Sequence, residues 1–190
     1  WVNTVEAGGT AGVDDDGNGY VDDIYGYDFA GDNTGTNDPY PFDTIGHGTH
    51  VSGTIAADGD NNTSIAGVNW DAQIMSLESG MPNSGRADAD IIEAIEYGIT
   101  MKADYGVNIV AMNASWGGYG FNLLLRDVIE EAGREEIAFV ASAGNNYYST
   151  DTYPHYPSAY ELTNIIAVAA TGQDDQFSSF SNYGRITVDL

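Results

Sequence analysis

No cysteine occurs among the 190 residues, which excludes disulfides, thiolate zinc sites and cysteine nucleophiles together. Basic residues are almost as scarce. Five Lys and Arg stand against 29 Asp and Glu, the formal net charge is −24, and the first basic residue along the chain is Arg86. A surface so acidic repels phosphate backbones and anionic membranes, so nucleic acid is not an expected partner. Its self-repulsion is relieved by bound cations, or by a salty or calcium-rich medium. No apolar run reaches the length of a membrane span, so no membrane partner is expected. The chain opens WVNTVEAGG without Met or a charged leader and stops at ITVDL; both ends are expected to be cuts.

What is present suits a globular fold. Hydrophobic residues make up 42% and charged residues 18%, which is not the balance of a disordered chain. The length suits one domain with a sizeable core. Up to about Asp43 the chain is rich in Gly, Asp and Asn with isolated aromatics, the composition of looped structure that needs an external organiser. Beyond it, QIMSLES (73–79), NIVAMNAS (108–115), IAFVASAG (137–144) and NIIAVAA (164–170) are strand-length apolar runs without polar alternation. Such runs predict strands buried on both faces. Between them, Ile91, Ile92, Ile95 and Ile99 fall on one helical face, with Asp90 and Glu93 as a capping-box analogue and Gly106 as the stop. Leu125, Val128, Ile129 and Ala132 form a second stripe, opened by Asn122 and closed by Gly133. Strands alternating with helices predict an α/β fold built on a parallel sheet.

Two of the three histidines, His47 and His50, stand three apart in GHGTHVSGTIAA (46–57). A His pair at this spacing could bind a metal, but no third ligand of the HExxH kind follows and no cysteine completes a zinc set. The full string is more specific than either histidine. It resembles the active-site histidine segment of the subtilisin-like serine proteases, and the resemblance makes His47 the general base of a Ser-His-Asp triad. An imidazole titrating near neutrality can take a proton from a serine hydroxyl and return it to the leaving amine. Gly46 and Gly48 permit close backbone approach, and the small residues that follow suit a helix packed deep against a sheet. His50 is read as structural.

Further segments match the same family. In FVASAGNN (139–146), Asn145 takes the place of the asparagine that donates to the oxyanion, at the end of an expected parallel strand, where ligands gather. An isolated Gly-Asn is more often just a turn. NASWGG (113–118) resembles the strand edge lining the primary specificity pocket, with Ser115, Trp116 and Gly117 in its places. SGRADADII (84–92) resembles the opposite edge, with Ser84, Gly85 and Arg86 flanking the peptide. Both edges imply extended polypeptide substrates paired by β-augmentation. Many family members carry Leu where Trp116 stands. YPSAYELTNIIAVAAT and FSSFSNYG, near the end, follow the family's run of strands, so the resemblance covers nearly the whole chain.

Two triad members have no match. No Asp-Thr-Gly or Asp-Ser-Gly occurs ahead of His47, and no Gly-Thr pair is followed by Ser. Asp43 lies four residues before His47 but precedes Thr-Ile in a loop, and is read as non-catalytic. Ser142, Ser178, Ser179 and Ser181 are not placed as nucleophiles.

The acidic stretch GVDDDGNGYVDDIYGYDF (12–29) has its own logic. Asp14, Asp16, Asn18, Gly19 and Asp22 fall at positions 1, 3, 5, 6 and 9 of an EF-hand-type loop, with the Tyr20 carbonyl at position 7. Position 12 is Tyr25 rather than Glu, so the loop is not an EF-hand proper. Five Asp between residues 14 and 23 repel one another without a cation. A structural Ca²⁺ held by Asp14, Asp16, Asn18, Tyr20 and either Asp22 or Asp23 is expected, against the alternative of a solvated acidic turn. Many subtilisin-like proteases carry calcium in such loops.

The expectation is one partial catalytic domain over 1–190, truncated at both ends, with an acidic calcium-loop region over 1–43 and an α/β core over 44–190. Its sheet is parallel, with helices on both faces. The resemblance implies a fragment of a secreted, monomeric, calcium-stabilised serine endopeptidase, inactive as it stands. A non-catalytic subtilase-like domain that binds peptide or serves structure is the alternative. A calcium-binding adhesion or matrix module is a more distant one.

Overall fold

In a computed structural model of the chain, the described residues are 1–31, 36–63, 65–80 and 88–190. They divide into two compact units, Trp1–Ala94 and Ile95–Leu190.

The first unit opens on a short helix, α1 (Thr4–Gly8), capped by the Asn3 side chain on the Val5 amide. Strand β1 (Gly26–Asp28) pairs in parallel with β2 (Ser76–Glu78), Tyr27 opposite Leu77. Gly26, at φ +123°, lies so close to the Ser76 carbonyl that a Cβ would collide with it, which is why glycine stands there. Neither α1 nor β1 is legible in the Gly- and Asp-rich composition, which reads as loop. Tyr20, Tyr27 and Phe29 gather into an aromatic cluster with centroids 4.9–5.8 Å apart, and Phe29 is fully buried. This cluster, not a long apolar run, is the core of the N-terminal segment.

Helix α2 (His47–Ala56) follows from a left-handed Gly46 and has no buried residue. The expectation of a helix packed deep against a sheet is therefore not met within this unit. Its C-terminal end is tied down by the Gly67, Val68 and Asn69 amides, which donate to the carbonyls of Ala57, Thr54 and Ile55 at 2.8–3.0 Å. Its first turn is exposed, and Val51, Ser52, Ile55 and Ala56 are partly buried.

Helix α3 (Asp88–Ala103) begins in the first unit and ends in the second. Ile91, Ile95 and Ile99 are buried, as the stripe predicts, together with Tyr97 and Met101. Asp90 lies inside the first turn rather than at the cap, where it and Asp88 complement the helix dipole. The helix stops three residues before Gly106, which is left-handed at φ +71°.

In the second unit, β3 (Ala111–Ala114), β4 (Ala138–Ser142) and β5 (Ile165–Val168) form a parallel sheet in the order β3-β4-β5. Helix α4 (Leu123–Arg134) connects β3 to β4 and packs on β4. Asn122 caps it, accepting from the Leu124 and Leu125 amides at 2.9 and 3.3 Å. The predicted stripe of Leu125, Val128, Ile129 and Ala132 is buried, each large side chain contributing about 1.5–3 kcal/mol.

Gly133 does not close α4. It is helical, and a Cβ there would press on the Asn164 side chain at 2.7 Å; Glu136, at φ +57°, makes the turn instead. The strands are not doubly buried either. In β4 and β5 the buried residues alternate with half-exposed ones, and only Ala114 is buried in β3. Ala, Val and Ile on the second face make the runs look uniformly apolar in sequence, although that face is covered less completely than the first.

Candidate active site

Adjacent parallel strands deliver two predicted segments from the same end of the second unit's sheet. β3 ends at Ala114, and Ser115, Trp116 and Gly117 follow; β4 ends at Ser142, and Ala143, Gly144 and Asn145 follow. Asn145 is exposed. The Trp116 ring packs edge-on against Phe139 of β4, centroids 6.4 Å apart, so this side chain belongs partly to the core. Ser115 Oγ accepts from the Asn113 side chain, Nδ2, at 2.9 Å.

Between the two segments sits a residue the sequence reading did not single out. His155 is 5% exposed, and side chains at Gly117 or Gly144 would both run into its ring. Tyr119 stacks edge-on against it at 5.3 Å. Burial lowers the pKa of this imidazole, and a hydrogen bond to the Ser142 carbonyl opposes that shift. Nδ1 has no hydrogen-bond partner among the described residues. The ring is thus a neutral wedge that spaces the two strand ends. The signal available in sequence was only that this third histidine lies outside the GHGTH string.

In the first unit His47 is exposed at the first position of α2, and His50, one turn on, is exposed too. Asp43 is fully engaged at the start of this helix. Oδ1 accepts from the Ile45 and Gly46 amides at 2.9 and 2.6 Å, and Oδ2 accepts from the Thr49 amide and hydroxyl at 2.6 and 2.8 Å. Partial burial raises its pKa, but the bonds from Thr49, Gly46 and Ile45 prevail and hold it at about 2. A carboxylate committed to four donors is an anchor for the helix start and not a partner for a histidine. Ser84, Gly85 and Arg86 lie outside the described residues.

The acidic loop is organised by a glutamate that the EF-hand spacing did not reveal. Glu6, on α1 and 3% exposed, accepts from the Asp15 and Asp16 amides through Oε1 and from the Asp22 amide through Oε2, at 2.7–3.0 Å. One carboxylate oxygen from each of Glu6, Asp14 and Asp16 lies within 4.8 Å of the others. Oxygens around a Ca²⁺ at 2.3–2.6 Å are separated by no more than about 5 Å, and all the donors are hard, so the residues fit that ion. Asn18 donates to Asp16 and Asp23 at 3.4 and 2.7 Å, while Asn3 bridges the same two carboxylates at 2.8 Å each. Asp23 is fully buried in this network, whereas the Asp22 carboxylate accepts from the Gly12 amide. The Tyr20 amide donates to Asn18 Oδ1.

The chain matches the model of the Subtilase family over residues 12–189, a span that holds the histidine string, the acidic loop and both strand ends. The chain belongs to the subtilase family. Thermitase of Thermoactinomyces vulgaris is 38% identical over 163 residues, 86% of this chain and 53% of that protein. The thermophilic serine proteinase of Bacillus sp. (strain AK1) is also 38% identical, over 85% of this chain and 36% of its own length. The S41 psychrophilic protease superposes with a TM-score of 0.64 at 29% identity, covering 74% of this chain and 46% of that one. The chain thus spans about half the length of thermitase, and less of the others.

Within this subtilase, the Asp43 anchor yields a specific expectation. Asp43→Ala removes the acceptor for the Ile45, Gly46 and Thr49 amides around the start of α2 and is expected to destabilise the helix by about 1 kcal/mol, the worth of a helix cap. Because the folded pKa lies below the ordinary 3.8, the contribution is complete above pH 3.8 and is lost as pH falls toward 2. Acid titrations of the native protein and the variant, followed by circular dichroism at 222 nm, check this. Curves that coincide from pH 5 to pH 2 would show that the bonds carry no net stability.

Proposed function

We propose that the chain is the part of a secreted, calcium-stabilised, subtilisin-like serine endopeptidase that supplies the general base His47 and the oxyanion donor Asn145. The observation that carries this reading is the exposure of Asn145 just beyond the carboxyl end of the central parallel strand, beside the end of β3. The substrate is an extended polypeptide, laid along the Ser115–Gly117 edge on one side and, by the same reading, along Ser84–Arg86 on the other. Its scissile carbonyl is attacked by a serine whose proton passes to His47 and then to the leaving amine. As the carbonyl oxygen gains negative charge, the Asn145 side-chain amide donates to it. The serine, and the aspartate that orients His47, come from sequence outside residues 1–190.

Calcium would be held by Glu6, Asp14 and Asp16, with Asn18, the Tyr20 carbonyl and either Asp22 or Asp23 as further oxygen donors, and would supply charge neutralisation to the loop. A calcium-rich extracellular medium suits an acidic surface with a net charge of −24. Among the described residues no helix is long and apolar enough to cross a membrane.

The test extends the coding sequence in both directions and replaces Asn145 by Ala in the resulting protease. The expected result is a fall in kcat of about 10²–10³-fold with KM little changed, as for removal of one oxyanion donor. An unaltered kcat would reject the oxyanion role. Loss of the Asp-Thr-Gly and Gly-Thr-Ser segments from the flanking sequence would point instead to a non-catalytic peptide-binding domain.

A further inference from the structure

We propose that Asn182, thirty-seven residues beyond Asn145, is the positioning residue that holds the oxyanion-donor loop in place. The inference rests on the oxyanion reading of Asn145. Asn182 is fully buried, and its side chain spends both ends of its amide on that loop. Oδ1 accepts from the Asn146 and Tyr148 amides at 3.0 Å each, and Nδ2 donates to the Ala143 carbonyl at 2.8 Å. The Asn182 backbone amide donates to the Gly144 carbonyl at 2.8 Å. One residue therefore binds the chain on both sides of Asn145, at 143 and 144 before it and at 146 and 148 after it, and leaves the Asn145 side chain in solvent.

The surroundings make this clamp rigid. Gly144, at φ +102°, passes so close to Asn182 Nδ2 that a side chain there would collide with it, so loop and clamp are in backbone contact. Ser181, also buried, donates to the Asn182 carbonyl at 2.9 Å and accepts from the Ala170 amide at 2.9 Å. Beyond the clamp, Tyr183 and Tyr148 continue the pairing, amide to carbonyl, at 3.0 Å. Asp151 accepts from the amides of Arg185, Ile186 and Thr187 at 2.8–3.1 Å, which fixes the chain just past it.

The physical reason for such a clamp lies in the loop itself. Residues 145–148 are all exposed and leave the sheet at a left-handed glycine. Bonds from the Tyr147 amide to the Phe180 carbonyl and from the Tyr183 amide to the Tyr148 carbonyl hold the far half of the loop, and the Tyr119 hydroxyl reaches the Asn146 side chain. The backbone on either side of Asn145, however, is bound by Asn182. A donor stabilises a developing oxyanion only if it is already in position, since moving it during reaction forfeits the gain. Displacement by about 1 Å can cost roughly 10²-fold in rate. Aspartate in place of Asn182 would set a carboxylate oxygen against the Ala143 carbonyl oxygen where Nδ2 now donates, and a hydrophobe would orphan two amides and a carbonyl. Asparagine alone supplies acceptor and donor at the required separation.

The experiment is a double-mutant cycle in the full-length protease, with labelled casein as substrate. Asn182→Ala is expected to lower kcat about 10²-fold with KM within about twofold, and Asn182→Ser to fall between it and the native enzyme. Asn145→Ala combined with Asn182→Ala is expected to be no slower than Asn145→Ala alone, because a clamp has no effect on a donor that is absent. Losses that multiply, or a folded Asn182→Ala with native kcat, overturn the proposal. Asn145→Ala with native kcat overturns the oxyanion reading instead, and the proposal with it. Should Asn182→Ala not fold, amide exchange in the unaltered full-length protease decides. The Asn146 and Tyr148 amides are expected to be protected although their residues are exposed, and free exchange of either amide would overturn the clamp.

Discussion

Labelled casein incubated with the 190-residue chain is expected to stay intact, and His47→Ala is expected to change nothing in that assay. In the full-length protease proposed above, with His47 as its general base, the same substitution is expected to lower kcat by about 10⁶-fold. The contrast follows from what a histidine base requires. Without a hydroxyl in reach there is no proton to take, and without a carboxylate behind it nothing fixes the tautomer. Asp43 is no substitute, since both its oxygens are engaged by the start of α2. The serines are no better placed. Ser181 is buried with its hydroxyl bonded to Asn182 and Ala170, and Ser158 is buried and donates to the His155 carbonyl at 2.7 Å. Ser178 and Ser179 follow a turn in which Thr171 bridges to Phe177. Casein cleavage by the chain alone that disappears in His47→Ala would overturn the prediction and return the search for a nucleophile to these residues.

The sequence carried the parallel α/β pattern well because α4 states itself fully: an Asn cap, a four-residue apolar stripe and charged outer positions agree with one another. The same consistency located the ends of β3 and β4, where specific strings rather than propensity marked Ser115–Gly117 and Asn145. What composition hid is contributed by single residues whose partners are far away in sequence. Glu6 looks like one acid among 29, and only its three amide donors distinguish it. Asn182 sits in a Ser-rich turn, yet it binds residues 34–39 positions earlier. His155 is a lone histidine until its place between Gly117 and Gly144 is seen. The unequal burial of the two faces of β4 and β5 was hidden for another reason: an apolar run reports that both faces tolerate Ala, Val and Ile, not that both are covered to the same extent.

Calcium is expected to raise the melting temperature of the chain by roughly 5–10 °C at a hundredfold excess over its dissociation constant. Binding to the folded state alone contributes about 2.7 kcal/mol there, and a chain of this size gains about 2–4 °C for each kcal/mol. The site can respond this strongly because its carboxylates are held together whether or not an ion compensates them. Glu6 is fixed by three amides, Asp14 by the amides of Gly17, Asn18 and Gly19, and Asp16 by the side chains of Asn3 and Asn18. Their mutual repulsion is therefore a cost of folding that a divalent cation removes. Glu6→Gln separates the two roles of this residue. It keeps a carbonyl to accept from Asp15 and Asp16 but removes one charge and the acceptor for Asp22. The calcium-dependent gain is expected to fall by more than half, while the melting temperature in chelator changes less. Glu6→Ala is harsher: it leaves three amides without acceptors, at about 1–3 kcal/mol each if they stay dry, and is expected to lower the midpoint with or without calcium. Thermal melts of the three proteins in chelator and in calcium, with titration calorimetry of the unaltered chain, form the test. Identical midpoints in chelator and calcium, and no heat on titration, would remove the ion from this loop and leave Glu6 as an organiser of backbone amides alone.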